Sequence, residues 1–201
     1  MSERRFEALT AKTMTDEQRR IVDDIAAGPR AANAALLLGP GGEIKGPFNA
    51  LLRSPALGDR VQKFGEAVRF HSVLPKTSTE MAILLTARRW TAQFEWYVHE
   101  RIALEAGLAP SIVAAIAAGE RPSGLDPELT VVHDFVTELL ATGEVSDASF
   151  AAVEDAAGER GVVDLVCLVG YYCLVSFLLN VERHPLPDGA PPALEPLPVS
   201  G

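Results

Sequence analysis

The sequence predicts an all-α fold of about eight helices, and three observations carry that prediction. Alanine and leucine dominate while β-branched and aromatic residues are sparse, a composition that favours helix. Apolar residues recur at three- and four-residue spacing, and no segment sustains the period-two alternation of a half-buried strand. Glycine and proline fall between the periodic stretches, where helices start and stop. Of the 201 residues 48% are hydrophobic, enough to bury a sizeable core and too apolar for a disordered chain.

The elements follow in order. Residues 14–27 read as a first helix, capped by Thr15 or Asp16 and stopped by Gly28-Pro29. Residues 39–47, GPGGEIKGP, form a glycine-proline loop; it lacks the Gly-Lys-Ser/Thr ending of a P-loop and follows no strand, so a shaped loop is expected rather than an anion cradle. Ser54-Pro55 opens a helix over about 55–71 that should bury Leu57, Val61, Phe64 and Val68. Pro75 breaks the chain, and Thr77 or Ser78 should cap the next helix, whose apolar mass is Met81, Ile83, Leu84 and Leu85. A long helix over 90–106 ends at Gly107, and a short one over 110–119 ends at Gly119. Three more, at 127–141, 146–157 and 161–180, are separated by Gly143 and Gly158. The chain should form a single helical domain over 1–183. Residues 184–201 carry six prolines and form either a docked arm, with Leu186, Leu194, Leu197 and Val199 to bury, or a loose tail.

Charge and cysteine content narrow the function. The formal net charge is −9 with no Lys/Arg cluster to offset it, so no nucleic-acid partner is expected and an anionic substrate would need local cations. The apolar run Leu165 to Leu179 falls short of the roughly 20 residues that span a bilayer, and no membrane partner is expected. No signal-peptide h-region is visible, and a cytoplasmic location follows by default. Cys167 and Cys173 are six apart on a predicted helix, about 120° around its axis, which is wrong for a disulfide and reads as two buried thiols. The histidines show no metal-ligand spacing, so neither metal nor cofactor is expected. His133 neighbours Asp134, but adjacent helical residues do not normally face each other.

The stretch Glu80 to Gly107 carries the chemistry. On the helix 90–106, Ala92, Glu95, Trp96, His99, Ala103 and Ala106 share one stripe, which should be the buried face. Glu95 and His99 are four apart and can meet across one turn. A buried carboxylate survives by pairing or by taking a proton, and an imidazole supplies both routes. Glu80 on the preceding helix reaches the same spot if the two helices pack against each other. The alternative is a surface or interface ion pair, worth a few tenths of a kcal/mol, with Trp96 in the core.

The pattern Glu80, Trp90, Gln93-Phe94-Glu95-Trp96-x-x-His99, Ala103 and Gly107 resembles the core motif of the carboxymuconolactone decarboxylase and alkylhydroperoxidase D-like family. Residues 46–70 and 144–180 resemble what precedes and follows that motif. The resemblance implies an all-helical fold assembling as dimers, trimers or hexamers, with sites near subunit contacts. The family's peroxidases carry Cys-x-x-Cys and a histidine on this helix, helped by an upstream glutamate. Here Gln93 and Trp96 stand at the thiol positions, His99 at the histidine and Glu80 at the glutamate, so a peroxide has no nucleophile to meet. The decarboxylase branch implies a cofactor-free lyase or isomerase of aromatic degradation, acting on a small carboxylated lactone or related enolisable acid. His99, Glu95 and Glu80 would be catalytic; Trp96, Gln93 and Arg88 (or Arg89) would hold substrate, although both arginines also read as solvated helix-end charges. A non-catalytic oligomeric binding protein and a peroxide- or thiol-linked reductase remain the alternatives.

Overall fold

The computed structural model of the chain describes residues 3–29 and 37–197. Eight α-helices occur among the described residues: α1 (Asp16–Ala27), α2 (Phe48–Leu51), α3 (Pro55–Phe70), α4 (Lys76–Arg89), α5 (Gln93–Glu105), α6 (Pro110–Ala118), α7 (Pro127–Thr142) and α8 (Asp147–Glu182). The only extended pairing among those residues is two isolated bridges, Thr10 with Glu43 and Leu38 with Ile44. The all-α prediction holds. The chain groups into two compact units, residues 1–71 with 178–185, and residues 72–177 with 186–201.

In the first unit, Thr15 caps α1 through a reciprocal box. Its side chain accepts from the Gln18 amide, while Gln18 accepts from the Thr15 amide. Ile21, Val22 and Ile25 then pack with Leu9, Met14, Leu37, Ile44 and Leu52. The glycine-proline loop is tied to itself, with Gly41 N–H donating to the Glu43 carboxylate at 2.9 Å. The buried face of α3 differs from the expected one. Leu57 and Phe64 are 58% and 44% exposed, and Gly58, Gln62, Gly65 and Val68 turn inward. Backbone approach decides this: a Cβ at Gly58 would lie 2.5 Å from the Leu51 carbonyl oxygen, so only glycine lets α3 come this close to α2. The last turn of α8 delivers Glu182, which is fully buried and accepts from Arg4 at 2.5 Å and from Asn49 Nδ2 at 2.8 Å.

The second unit is built around α4, whose residues Ser78 to Leu84 are all buried and which packs against α5, α6 and α7. Neither Thr77 nor Ser78 caps it. The helix starts at Lys76 after Pro75, and the Ser78 hydroxyl instead donates to Glu128 at 2.7 Å. The predicted helix 90–106 starts three residues late. The Ala92 amide donates to the Ala87 carbonyl and the Thr91 amide to the Arg88 carbonyl, a Schellman ending of α4, after which Ala92 opens α5. Thr91 takes the left-handed position (φ 48°) that glycine usually fills, so the break carried no sequence cue.

Asp126 caps α7 by accepting from the Leu129 amide, and Gly143 closes it in the left-handed region. The two expected helices beyond lie on either side of Gly158, whose non-helical backbone (φ 71°, ψ 176°) breaks α8 between them as the sequence predicts. By length and composition α8 could cross a membrane, unlike the shorter run read from sequence, and half of its most apolar window is buried. The C-terminal segment makes a 3₁₀ turn at Pro187–Gly189 and then docks within the second unit through Leu194, which is 3% exposed. Leu186 and Leu197 are half-buried, and Val199 lies outside the described residues.

Gly158 adopts a backbone conformation almost confined to glycine, and a Cβ there would meet open space, so strain alone opposes substitution. Gly158→Ala is expected to lower the unfolding free energy by about 1–3 kcal/mol, read by urea denaturation, with far-ultraviolet dichroism unchanged.

Candidate active site

Three helices of the second unit meet at His99. The residue sits on α5, one turn beyond Glu95, because the helical pitch stacks positions four apart. Its Nε2 lies 3.1 Å from Glu95 Oε1. Its Nδ1 lies 2.6 Å from Glu80 Oε2 on α4. Tyr172 of α8 places its hydroxyl 3.4 Å from Nε2 and meets the imidazole edge-on, with ring centroids 5.1 Å apart. The imidazole thus has a carboxyl group at each nitrogen. Exposure is 3% for His99 and Glu80 and 5% for Glu95, so this is a desolvated cluster and no surface pair.

Burial disfavours a charged imidazole, yet the negative charge and hydrogen bond of Glu80, followed by those of Glu95, outweigh it. The His99 pKa is raised. A protonated ring donates from Nδ1 to Glu80 and from Nε2 to Glu95. The arrangement can store a proton on the ring, release it towards Nε2 and draw a replacement through a carboxyl group.

The other expected site residues lie elsewhere. Trp96 is fully buried on the same stripe, and its indole N–H finds no acceptor among the described residues. Gln93 exchanges two hydrogen bonds with the Leu194 backbone, donating to its carbonyl at 2.6 Å and accepting from its amide at 3.1 Å. Arg88 is buried and donates to the Glu195 carbonyl at 2.8 Å. The structure therefore brings His99, Glu80 and Glu95 together, while Gln93 and Arg88 hold the C-terminal arm. Arg89, exposed, stacks its guanidinium over Trp90 at 5.1 Å.

Sequence reasoning missed Tyr172. Its only signal was a polar-tipped aromatic inside the apolar run of α8, 73 positions from His99. It also underrated His133, whose Nδ1 lies 2.9 Å from the Asp134 carboxylate although the two are helical neighbours, because Arg121 draws both side chains together.

Both cysteines are free and half-buried. Cys173 accepts from the Trp90 indole N–H at 3.1 Å, and burial raises its pKa against the opposing pull of that bond and of Arg89. A thiol in that state is a poor nucleophile. Among the described residues no cluster of three or more His, Cys, Asp or Glu could hold a metal ion. Two clefts are described in this unit, one of about 450 Å³ beside Val73, Pro127 and Val132 and one of about 600 Å³ beside Arg88, Arg121 and His133. Neither is lined by His99, Glu80 or Glu95.

The pKa shift sets a pH dependence of stability. Because the folded value is raised, the stabilisation is complete below the unfolded pKa of about 6.5 and is lost as pH rises through the folded value. Thermal midpoints of the wild type are therefore expected to fall on the alkaline side of about pH 6.5. Glu80→Gln should lower the His99 pKa in an NMR titration and flatten that fall; equal alkaline slopes in both proteins would contradict the assignment.

No protein-family model matches the chain, and none of the curated proteins does. The fold has a counterpart among solved structures. A crystal structure of an alkylhydroperoxidase AhpD core, an uncharacterized peroxidase-related protein from Ralstonia eutropha JMP134, superposes with a TM-score of 0.71. The match covers 94% of each chain at 14% sequence identity. At that identity the likeness speaks for architecture, and this chain has the alkylhydroperoxidase D-like fold.

Proposed function

We propose that this chain is a cofactor-free acid–base enzyme, a lyase or isomerase, acting on a small carboxylated lactone or related enolisable acid. The observation that carries the reading is the imidazole of His99 held between Glu80 and Glu95 at 2.6 and 3.1 Å with its pKa raised. In a decarboxylation, the C–C bond to the carboxylate breaks and carbon dioxide leaves. The electron pair delocalises into the lactone as an oxyfuran-like dienolate. A protonated His99 stabilises that negative oxygen and gives a proton to the carbon, and a proton from solvent, relayed by the carboxyl groups, recharges the ring.

One observation favours a second reading, in which the cluster is structural and the protein a non-catalytic helical binding protein. His99 and both carboxyl groups are almost wholly buried. A peroxidase reading has the weaker support, because Cys173 is held as a neutral thiol. Carbon dioxide release from a panel of γ-carboxylated butenolides and β-keto acids separates these. Turnover should fall by about 100-fold or more in His99→Asn with folding retained. Turnover that His99→Asn leaves intact would sink the acid–base reading; no release from any member of the panel would favour the structural one, and peroxide consumption lost in a Cys167→Ser, Cys173→Ser double variant would favour the third.

The same reading includes self-association. Val163, Val166, Gly170, Leu174 and Phe177 are exposed and fall within about 80° of arc on α8. A second copy packing on that stripe would remove it from water, with Gly170 allowing close approach of the helices. Phe177→Glu combined with Val166→Glu is expected to reduce the mass measured by light scattering to that of one chain; a wild type already at 21.5 kDa would remove the proposal.

A further inference from the structure

The cleft of about 600 Å³ in the second unit has a chemistry of its own. Three arginines line it, Arg88, Arg89 and Arg121, together with His133, against a single lining carboxylate, Glu120. That is a local excess of positive charge in a chain whose formal net charge is −9. Arg121 is already engaged, since its guanidinium pairs with the Asp134 carboxylate at the rim. Arg89 is exposed; its Nε donates to the Leu140 carbonyl at 3.4 Å.

Arg88 differs from both. It is 5% exposed, its Nη1 donates to the Glu195 carbonyl, and its Nε–H is buried with no acceptor among the described residues. A buried guanidinium with an unmade hydrogen bond is costly, and burial lowers its pKa despite the opposing charge of Glu195. Gly119 stands beside that Nε. The backbone there is left-handed (φ 76°) and a Cβ would lie 3.0 Å from Leu197 Cδ2, so the position favours glycine.

The rest of the wall is apolar. Leu85, Ile116 and Leu140 come from three helices, and Leu197 of the docked arm completes the lining. A ligand matching this cleft carries one oxyanion for Arg88 and an apolar body for the leucines. Phosphate and sulfate satisfy the first demand and fail the second.

We propose that this cleft is a binding site for a small carboxylate with an apolar body, its carboxylate accepting from the Arg88 guanidinium and its body packed against Leu140 and Leu197. The site shares no lining residue with the His99 cluster, so it stands whether or not that cluster is catalytic. The docked arm supplies a wall, which makes occupancy of the cleft and docking of residues 194–197 mutually supporting.

Calorimetric titration of the full chain with benzoate and hexanoate tests this, with benzyl alcohol, hexan-1-ol and inorganic phosphate as controls. Saturable heat is expected for the two carboxylates and absent for the controls. Arg88→Gln should weaken benzoate by about tenfold or more. Leu197→Ala, at the edge of the arm, should weaken it severalfold and keeps the test open if the first variant does not fold. A crystal structure with benzoate should place the carboxylate within hydrogen-bond distance of the Arg88 guanidinium. The proposal is overturned by any of four results: no saturable benzoate heat, phosphate binding as tightly as benzoate, affinity unchanged in the variants, or benzoate seated against His99 instead.

Discussion

The 2.6 Å contact between His99 and Glu80 joins α5 to α4 through groups that cannot be buried separately. An uncompensated charge at this depth costs several kcal/mol, so each group needs the others in place. Glu95 arrives through helical pitch, Glu80 through packing of α4 against α5, and Tyr172 from α8. The cluster is therefore a constraint on helix register. A slip of α5 by one residue would rotate His99 by about 100° away from both carboxyl groups. The site and the core of this unit are the same residues, which is why a structural role competes with a catalytic one.

The C-terminal arm solves a different problem. Six prolines prevent it from forming a helix, so its backbone needs outside partners. Gln93 supplies a donor and an acceptor to Leu194, and Arg88 supplies a donor to Glu195. Two residues whose chemistry suits a substrate are thus also the residues that suit an extended peptide. A side-chain amide and a guanidinium recognise carbonyl and carboxylate oxygens alike, and residue type alone does not say which oxygen is bound.

Some parts of the fold were legible because their physics is local. The cap of α1 at Thr15, the start of α7 at 127 and the glycine stops at 119 and 143 depend on residues within one turn. Other parts were illegible for an identifiable reason. Thr91 adopts a positive φ that its side chain disfavours, so the boundary between α4 and α5 left no trace in composition. On α3 the hydrophobic pattern pointed to Leu57 and Phe64, but the glycine at position 58 decided which face could reach the Leu51 backbone. Shape overrode hydrophobicity there, because close packing needed an absent side chain more than a buried one.

The sequence by itself determined the helical class, most helix positions and the pairing of Glu95 with His99, since a four-residue separation is converted into contact by helix geometry alone. Only the tertiary structure decided that Glu80, 19 residues away, and Tyr172, 73 residues away, close the cluster around His99. It likewise decided that Gln93 and Arg88 grip the arm. Contacts at those separations depend on how helices pack, and packing follows the summed shape of many side chains, which no local pattern encodes.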